Sequence, residues 1–173
     1  MAKAPSQPRL EAIRAGQAAR RQARVVVIAA RFNESITTAL VDAACRTLVG
    51  HGVAAERIEV CWVPGTFELP VAAACAAAGR PDAIVAVGCL IKGETSQYAA
   101  IGQAVANGLA QVSVATGIPV GFGVIIADTI EQAEARAGGG AGNRGEEAAL
   151  AALEMVDVVD RLTQARHASR LEQ

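Results

Sequence analysis

Aromatic side chains are scarce in this sequence of 173 residues: they make up 3% of it, whereas hydrophobic residues as a whole make up 52%. Alanine supplies much of the apolar share, which suits close packing of helices. Charged residues are 19% of the chain, so the composition is neither that of a disordered protein nor that of a nucleic-acid-binding one. The few aromatic positions therefore carry information; they are Phe32, Trp62, Phe67, Tyr98 and Phe122.

The cysteines show neither a C-x-x-C pair nor the spacing of a metal site. Each cysteine lies in an apolar stretch, which predicts reduced core residues in a cytosolic protein and no metal centre. The four positions are Cys45, Cys61, Cys75 and Cys89.

Histidine is rare, and no nucleophile is paired with a base in the sequence. His51 falls at a predicted helix end and His167 in the C-terminal tail, so both are predicted to lie on the surface. There is no Walker motif, and no G-x-G-x-x-G follows the first predicted strand, which argues against nucleoside triphosphates and dinucleotides as ligands.

No apolar run is long enough to cross a membrane, and the N-terminus lacks the apolar segment of a secretory signal. Residues 1–24 instead hold six basic residues and one acidic residue, whereas the remainder holds ten basic and sixteen acidic residues. We therefore predict a basic N-terminal extension, partly disordered or helical over 9–23. It is either a solvated arm or a segment that docks on the acidic body or on a neighbouring subunit. Neither nucleic acid nor a membrane is expected as a partner.

Apolar, β-branched runs alternate with helical patterns along the chain, which predicts an α/β protein with right-handed crossovers. The expected architecture is a three-layer sandwich with a four-stranded parallel sheet, of flavodoxin-like type. A single domain is predicted over 25–166, with a C-terminal tail at 167–173. The predicted strands are 25–30, 58–63, 83–91 and 119–127.

Cap and stop signals place the helices between these strands. Ser35 is predicted to cap the first helix, Thr95 or Ser96 the third, and Thr129 a short one. The last helix is predicted to bury Ala148, Ala152, Met155 and Val159. The predicted helices are 35–49, 67–78, 96–116, 129–137 and 144–166.

An unusual cluster follows each predicted strand, and ligands of open parallel sheets bind beyond the carboxyl ends of the strands. All four clusters should therefore converge on one edge of the sheet. They are Arg31-Phe32-Asn33, Pro64-Gly65-Thr66-Phe67-Glu68, Lys92-Gly93-Glu94-Thr95-Ser96-Gln97 and Asp128-Thr129.

The chemistry of these clusters suggests a ring, a polyol and an anion as ligands. Phe32 is either a packing residue or a flat surface on which a heteroaromatic ring stacks, and its position past a strand favours stacking. Asn33 either hydrogen-bonds such a ring or starts the helix. The turn after the third strand leads into a helix N-terminus, which attracts anions. The glycine-rich segment 138–145 is either a hinge or a means to place Arg136 and Arg144 on a phosphate or carboxylate.

Taken together, the clusters resemble the 6,7-dimethyl-8-ribityllumazine synthase family of riboflavin biosynthesis. The resemblance covers about residues 25–160, with five motifs in the right order. They are Ala30-Arg-Phe-Asn33, Val63-Pro-Gly-Thr-Phe-Glu-Leu-Pro70, Gly88-Cys-Leu-Ile-Lys-Gly-Glu-Thr95, Phe122-Gly-Val with Asp128-Thr-Ile-Glu-Gln-Ala133, and Arg136-Ala-Gly-Gly-Gly-Ala-Gly-Asn-Arg-Gly145 with Glu154-Met155.

The resemblance implies a transferase that condenses 5-amino-6-(D-ribitylamino)uracil with 3,4-dihydroxy-2-butanone 4-phosphate, without metal or organic cofactor. It implies a cytoplasmic homopentamer as the minimum unit and leaves a 60-subunit shell open. For the pyrimidine substrate, the resemblance implies that Phe32 stacks on the ring, that Leu90 and Ile91 line its pocket beside Lys92, and that Thr66, Phe67 and Glu68 bind the ribityl chain. For the phosphate, it implies binding by Gly93, Glu94, Thr95 and Arg136. It also implies that Phe122 and Arg144 of an adjacent subunit close the site.

One position departs from the family's pattern. Gln97 stands where the family carries a histidine that shuttles protons, and a glutamine side chain takes up no proton at neutral pH. This predicts a slowed enzyme; the alternative is a catalytically silent scaffold or shell of the same fold. A third hypothesis, an FMN-binding electron carrier, is weak because the first turn lacks a hydroxyl-rich phosphate loop.

Overall fold

Four parallel strands form the centre of the molecule in the spatial order β2-β1-β3-β4. The computed structural model describes the backbone of residues 22–171 and the side chains of residues 22–164. The predicted parallel sheet is confirmed; the first three strands have their predicted bounds, and the fourth begins one residue later than predicted. The strands are β1 Val25–Ala30, β2 Ile58–Val63, β3 Ala83–Ile91 and β4 Val120–Ala127.

Helices cover both faces of this sheet and complete the predicted three layers. On one face α1 and α5 pack against Val25, Val27 and Val85, and on the other α2 and α3 pack against Ile28 and Ile84. Strands that are covered on both faces have continuous apolar sequences, and for this reason the strands could be predicted from the sequence. The helices are α1 Glu34–Gly50, α2 Leu69–Ala78, α3 Gln97–Thr116, α4 Ile130–Ala135 and α5 Arg144–Leu171.

Glycines in β4 allow α5 to approach the sheet closely. A Cβ at Gly121 would lie 2.2 Å from the carbonyl oxygen of Ala148, and one at Gly123 would lie 3.3 Å from Ala148 Cβ and 2.7 Å from Val87 Cγ1 of β3. Phe122 points to the opposite face, where its half-buried ring packs against the α2 and α3 core. The two glycines therefore leave room for α5 on the face of the sheet opposite to Phe122.

Several local expectations differ from the structure. Asn33, with a φ of 60°, occupies the N-cap position of α1, and Ser35 lies inside the helix. The segment predicted as the start of the second helix is a separate 3₁₀ turn, Thr66–Glu68. Residues around the glycines form a short antiparallel hairpin, β5 Ala137–Gly139 with β6 Gly142–Asn143.

The last helix shows one wrong assignment on its inner face. Ala148 and Ala152 are buried as predicted and Val159 is half-buried, but Met155 is 46% exposed, and Leu153 fills the core instead. The helix continues to Leu171, beyond the predicted end near residue 166. The predicted N-terminal helix over 9–23 lies almost entirely outside the described residues, and so does the side chain of His167.

The cysteine prediction holds for only two of the four positions. Cys89 is buried and Cys45 half-buried, but Cys61 and Cys75 are exposed. Cys61 is exposed because β2 is an edge strand, in which only Val63 is buried. None of the helices in the described part of the chain combines the length and apolar character needed to cross a membrane.

Candidate active site

A cleft of about 370 Å³ lies at the carboxyl ends of the strands, where three of the predicted clusters meet. Four residues not predicted for the site also line it: Gly65, Cys89, Tyr98 and Ile101. The predicted site residues among its lining are Phe32, Thr66, Phe67, Glu68, Leu90, Ile91, Gly93, Thr95 and Gln97.

Two phenylalanines stand at the mouth of the cleft with their rings in solvent. Phe32 is 69% exposed and Phe67 is 60% exposed, although the chain has only three phenylalanines. They follow β1 and β2, which are neighbouring strands, so the topology alone brings them together. Exposed aromatic rings on the wall of a cleft supply the flat apolar surface that a heteroaromatic ligand needs.

Asn33 connects the ends of β1 and β3 and does not line the cleft. Its left-handed backbone is uncommon for a residue other than glycine, but asparagine tolerates it better than most. The side-chain Nδ2 donates a hydrogen bond of 2.9 Å to the carbonyl oxygen of Cys89. Asn33 thus supports the strand end that carries Leu90 and Ile91, and one of the two N–H groups of its side-chain amide is engaged there.

Thr66 presents a buried hydroxyl that has no partner. The residue is 3% exposed, and its Oγ1 makes no hydrogen bond within the described part of the chain. A buried polar group without a partner costs about 1–3 kcal/mol. Since Thr66 lines the cleft, a ligand hydroxyl is a natural partner for it.

The turn after β3 and the start of α3 form the exposed end of the cleft. Gly93, Glu94 and Thr95 are all exposed, and a Cβ at Gly93 would meet nothing within 4 Å. Ser96 is the N-cap of α3, but its side chain makes no capping hydrogen bond. The start of this 20-residue helix therefore lacks a side-chain cap and lies next to an open turn, an arrangement that favours an anion.

Asp128 lies beside this turn, at the end of β4. The hydroxyl of Tyr98 donates a hydrogen bond of 2.9 Å to Asp128 Oδ1, and Lys92 Nζ lies 3.9 Å from the same oxygen. The hydrogen bond to this carboxylate raises the pKa of Tyr98. Sequence reasoning did not assign Tyr98 to the site; its being the only tyrosine, one residue after the turn, was the available signal.

Arg136 and Arg144 do come together, but they do not line the cleft of their own chain. Both donate to Glu147 Oε2, Arg136 at 2.7 Å and Arg144 at 3.0 Å, and Arg136 also donates to the carbonyl oxygen of Ala141. The hydrogen bond from Arg136, followed by that from Arg144, lowers the pKa of Glu147. Lys92, Glu94 and Phe122 are likewise absent from the lining, so the predicted set is only partly assembled within one chain.

Among the described residues, no histidine lines the cleft. Burial raises the pKa of the Cys89 thiol to about 11, so it stays protonated and is a poor nucleophile. His51 lies outside the cleft, at the far end of α1, where its ring contacts the carbonyl oxygen of Thr47 at 2.8 Å. Among the described residues, no three His, Cys, Asp or Glu side chains are grouped to hold a metal ion.

Comparison with known proteins identifies the family. The sequence model of the 6,7-dimethyl-8-ribityllumazine synthase family matches residues 22–160. A relative of that name from Gemmatimonas aurantiaca is 50% identical over 139 residues, which are 80% of this chain and 85% of the relative. Relatives of the same name from Halorhodospira halophila and Xanthomonas campestris are 48% identical over 141 residues, 81% of this chain and 90% and 92% of theirs. The chain belongs to the 6,7-dimethyl-8-ribityllumazine synthase family.

Proposed function

We propose that this protein condenses 5-amino-6-(D-ribitylamino)uracil with 3,4-dihydroxy-2-butanone 4-phosphate to give 6,7-dimethyl-8-ribityllumazine, with release of phosphate and water. Family membership supports this reaction. The observation that carries it is the composition of the cleft: exposed rings, an unpaired buried hydroxyl and an open helix start lie around one space. These match the ring, the polyol and the phosphate of the two substrates.

The pyrimidine substrate fits the inner part of the cleft. Phe32 stacks on its ring, and Leu90 and Ile91 form the apolar floor. The ribityl chain runs along the 3₁₀ turn Thr66–Glu68, where it satisfies the Thr66 hydroxyl. Phe67 covers the chain, and Glu68 accepts hydrogen bonds from its hydroxyls.

The butanone phosphate fits the outer part of the cleft. The amides of Gly93, Glu94 and Thr95 hold the phosphate at the start of α3, beside Lys92. Arg136 is the further cation for this group. An adjacent subunit supplies Phe122 and Arg144, which fits their absence from the cleft of a single chain.

A homopentamer is the proposed minimum unit, and the cytoplasm is its proposed location. The edge strand β2 and the neighbouring helix α2 leave large apolar side chains in solvent, which another subunit would cover. These are Val60 at 39%, Trp62 at 40% and Val71 at 63% exposure. A sizing column with light scattering tests this, and a monomer at micromolar concentration would contradict it.

Gln97 makes the proposed enzyme slow without abolishing its activity. Loss of a positioned acid or base typically costs ~10²–10⁴ in rate, or about 3–5 kcal/mol. Holding the two reactants together supplies about 7–11 kcal/mol. The substrate amine is itself a nucleophile, so the protein need not supply one.

The test is lumazine formation by the purified full chain with both substrates, beside Gln97→His. We expect product above the uncatalysed rate from the unmodified chain and a gain of about 10²-fold on restoring histidine. Gln97 lines the cleft and no histidine of the described residues does, which favours the alternative of a silent scaffold. Absence of product from both proteins would support the scaffold and overturn the enzyme.

A further inference from the structure

One carboxylate oxygen joins both ends of the turn between β3 and α3. Lys92 precedes the turn and Tyr98 follows it, and both reach Asp128 Oδ1, at 3.9 Å and 2.9 Å respectively. Asp128 is itself held in place, because its backbone N–H donates a hydrogen bond of 2.8 Å to Gln132 Oε1. The turn is therefore fastened to the end of β4 by side chains of three separate elements.

Few other contacts hold this turn. The N–H of Lys92 donates to the carbonyl oxygen of Ala127 at 2.9 Å, and that of Ala99 donates to Ser96 at 3.1 Å. In the described part of the chain, no hydrogen bond is made by the N–H groups of Gly93, Glu94 or Thr95. A turn with three unused donors has little internal structure of its own, so its shape depends on what fastens its ends.

We propose that Tyr98 and Asp128 form a clamp that positions the turn at residues 93–95 for the phosphate group of the substrate. Both are positioning residues: neither touches the phosphate, and Asp128 would repel it. This inference rests on the phosphate site of the proposed function and adds the residues that preorganise it. Ordering the turn before the ligand arrives lowers the conformational entropy lost on binding.

Lys92 limits the repulsion that the clamp brings with it. A carboxylate beside a phosphate site disfavours the anion, and the ammonium group at 3.9 Å partly offsets its charge. Both side chains of this pair are exposed, so the offset is screened by salt. The hydrogen bond from Tyr98 is therefore the part of the clamp that should matter most at physiological salt.

The test measures binding of inorganic phosphate to the full chain by calorimetry. Tyr98→Phe keeps the ring but loses the hydroxyl, and Asp128→Ala removes the acceptor. We expect the dissociation constant to rise about fivefold in Tyr98→Phe, the scale of one exposed hydrogen bond, and to rise less in Asp128→Ala, where the loss of the repelling carboxylate offsets part of the effect. Because both changes break the same contact, adding Tyr98→Phe to Asp128→Ala should raise the dissociation constant no further.

Gln103→Ala is the matched control. Gln103 lies on α3 and donates an exposed hydrogen bond of 3.2 Å to Asn107 Oδ1, away from the cleft. It should leave phosphate affinity unchanged. In steady-state assays, Tyr98→Phe should raise the KM for the butanone phosphate about fivefold, with kcat within twofold. An unchanged phosphate affinity in Tyr98→Phe, or an equal fall of affinity in Gln103→Ala, overturns the clamp.

The two proposals fail separately. A chain that binds phosphate through the clamp but forms no lumazine overturns the proposed reaction and leaves the clamp. If the unmodified chain forms lumazine and Tyr98→Phe has an unchanged KM for the butanone phosphate, the clamp is overturned and the proposed reaction stands. If the unmodified chain binds no phosphate at millimolar concentration, the clamp is overturned as well.

Discussion

The absence of a side chain at Gly88 makes room for the buried side chain of Thr66. A Cβ at position 88 would lie 2.9 Å from both Oγ1 and Cγ2 of Thr66, closer than such atoms approach in proteins. Gly88 lies in β3 and Thr66 in the turn after β2, and β1 separates the two strands in the sheet. The contact therefore crosses β1 at its carboxyl end and holds the hydroxyl of Thr66 at the floor of the cleft.

Thr66→Val should separate ligand binding from stability. Valine fills the same space, so we expect the free energy of unfolding to be unchanged or raised by up to ~1 kcal/mol, because an unpaired buried hydroxyl is lost. The KM for the ribityl substrate should rise about tenfold, since its hydroxyl loses a partner. Urea unfolding and steady-state kinetics measure the two effects.

Thr66→Ser is the control, since it keeps the hydroxyl and loses only the methyl group. It should retain most of the affinity and lose some stability. A marked loss of stability in Thr66→Val would mean that the hydroxyl has a partner in the free protein, contrary to the structure.

The sheet and the inner part of the cleft were predictable because they depend on patterns local in sequence. The run from Ala83 to Ile91 is apolar throughout, as expected for a strand covered on both faces, and its bounds were predicted correctly. Parallel strands place their carboxyl ends together, so Phe32 and Phe67 could be assigned to one edge before any coordinates.

Contacts between distant segments were not predictable. Tyr98 and Asp128 are 30 residues apart, and nothing in either segment indicates which polar group the phenol meets. The glycine-rich segment was predicted to be a hinge or a means to place Arg136 and Arg144, and the hairpin at residues 137–143 was not predicted, although Gly138 and Gly142 have the positive φ angles of a tight reversal. Cys61 was predicted to be buried because an apolar run does not show whether its strand lies at the edge of a sheet.

Tyr98 offers a direct spectroscopic test of its contact with Asp128. It is the only tyrosine, so the ultraviolet absorbance of tyrosinate reports this residue alone. The hydrogen bond to Asp128, with lesser contributions from burial and from the negative charge, raises the pKa of Tyr98. The expected midpoint in the folded chain therefore lies above ~10 and should fall towards that value in Asp128→Asn.

The sign of the linked stability follows from this direction. The folded state holds the proton of Tyr98 more tightly than the unfolded state does. The hydrogen bond to Asp128 therefore adds to the free energy of unfolding below the pKa of an unfolded tyrosine, and this contribution is lost as pH rises through the pKa of the folded state. Glu131→Gln is the control, since Glu131 is an acidic residue three positions after Asp128 and makes no hydrogen bond to Tyr98 in the described structure. An equal fall of the midpoint in both variants would attribute the shift to general charge.

Glu147 should stabilise the fold in a way that depends on pH. Hydrogen bonds from Arg136 and then Arg144 lower its pKa in the folded state. Its contribution to the free energy of unfolding is therefore present above the pKa of an unfolded glutamate, about 4.3, and is lost as pH falls through the pKa of the folded state. The pairs are partly exposed, so Glu147→Gln should lower the free energy of unfolding by only ~0.2–1 kcal/mol at pH 7 and low salt.

Urea unfolding near pH 7 and near pH 3 measures this dependence. The difference between Glu147→Gln and the unmodified chain should shrink at the lower pH, because the carboxylate is then protonated in the unfolded state and increasingly so in the folded state. Glu154→Gln is the control: Glu154 is exposed on the same helix and forms no ion pair among the described residues. A loss that persists at low pH would mean that Glu147 acts through packing, and the two guanidinium groups would then be held together by the hairpin alone.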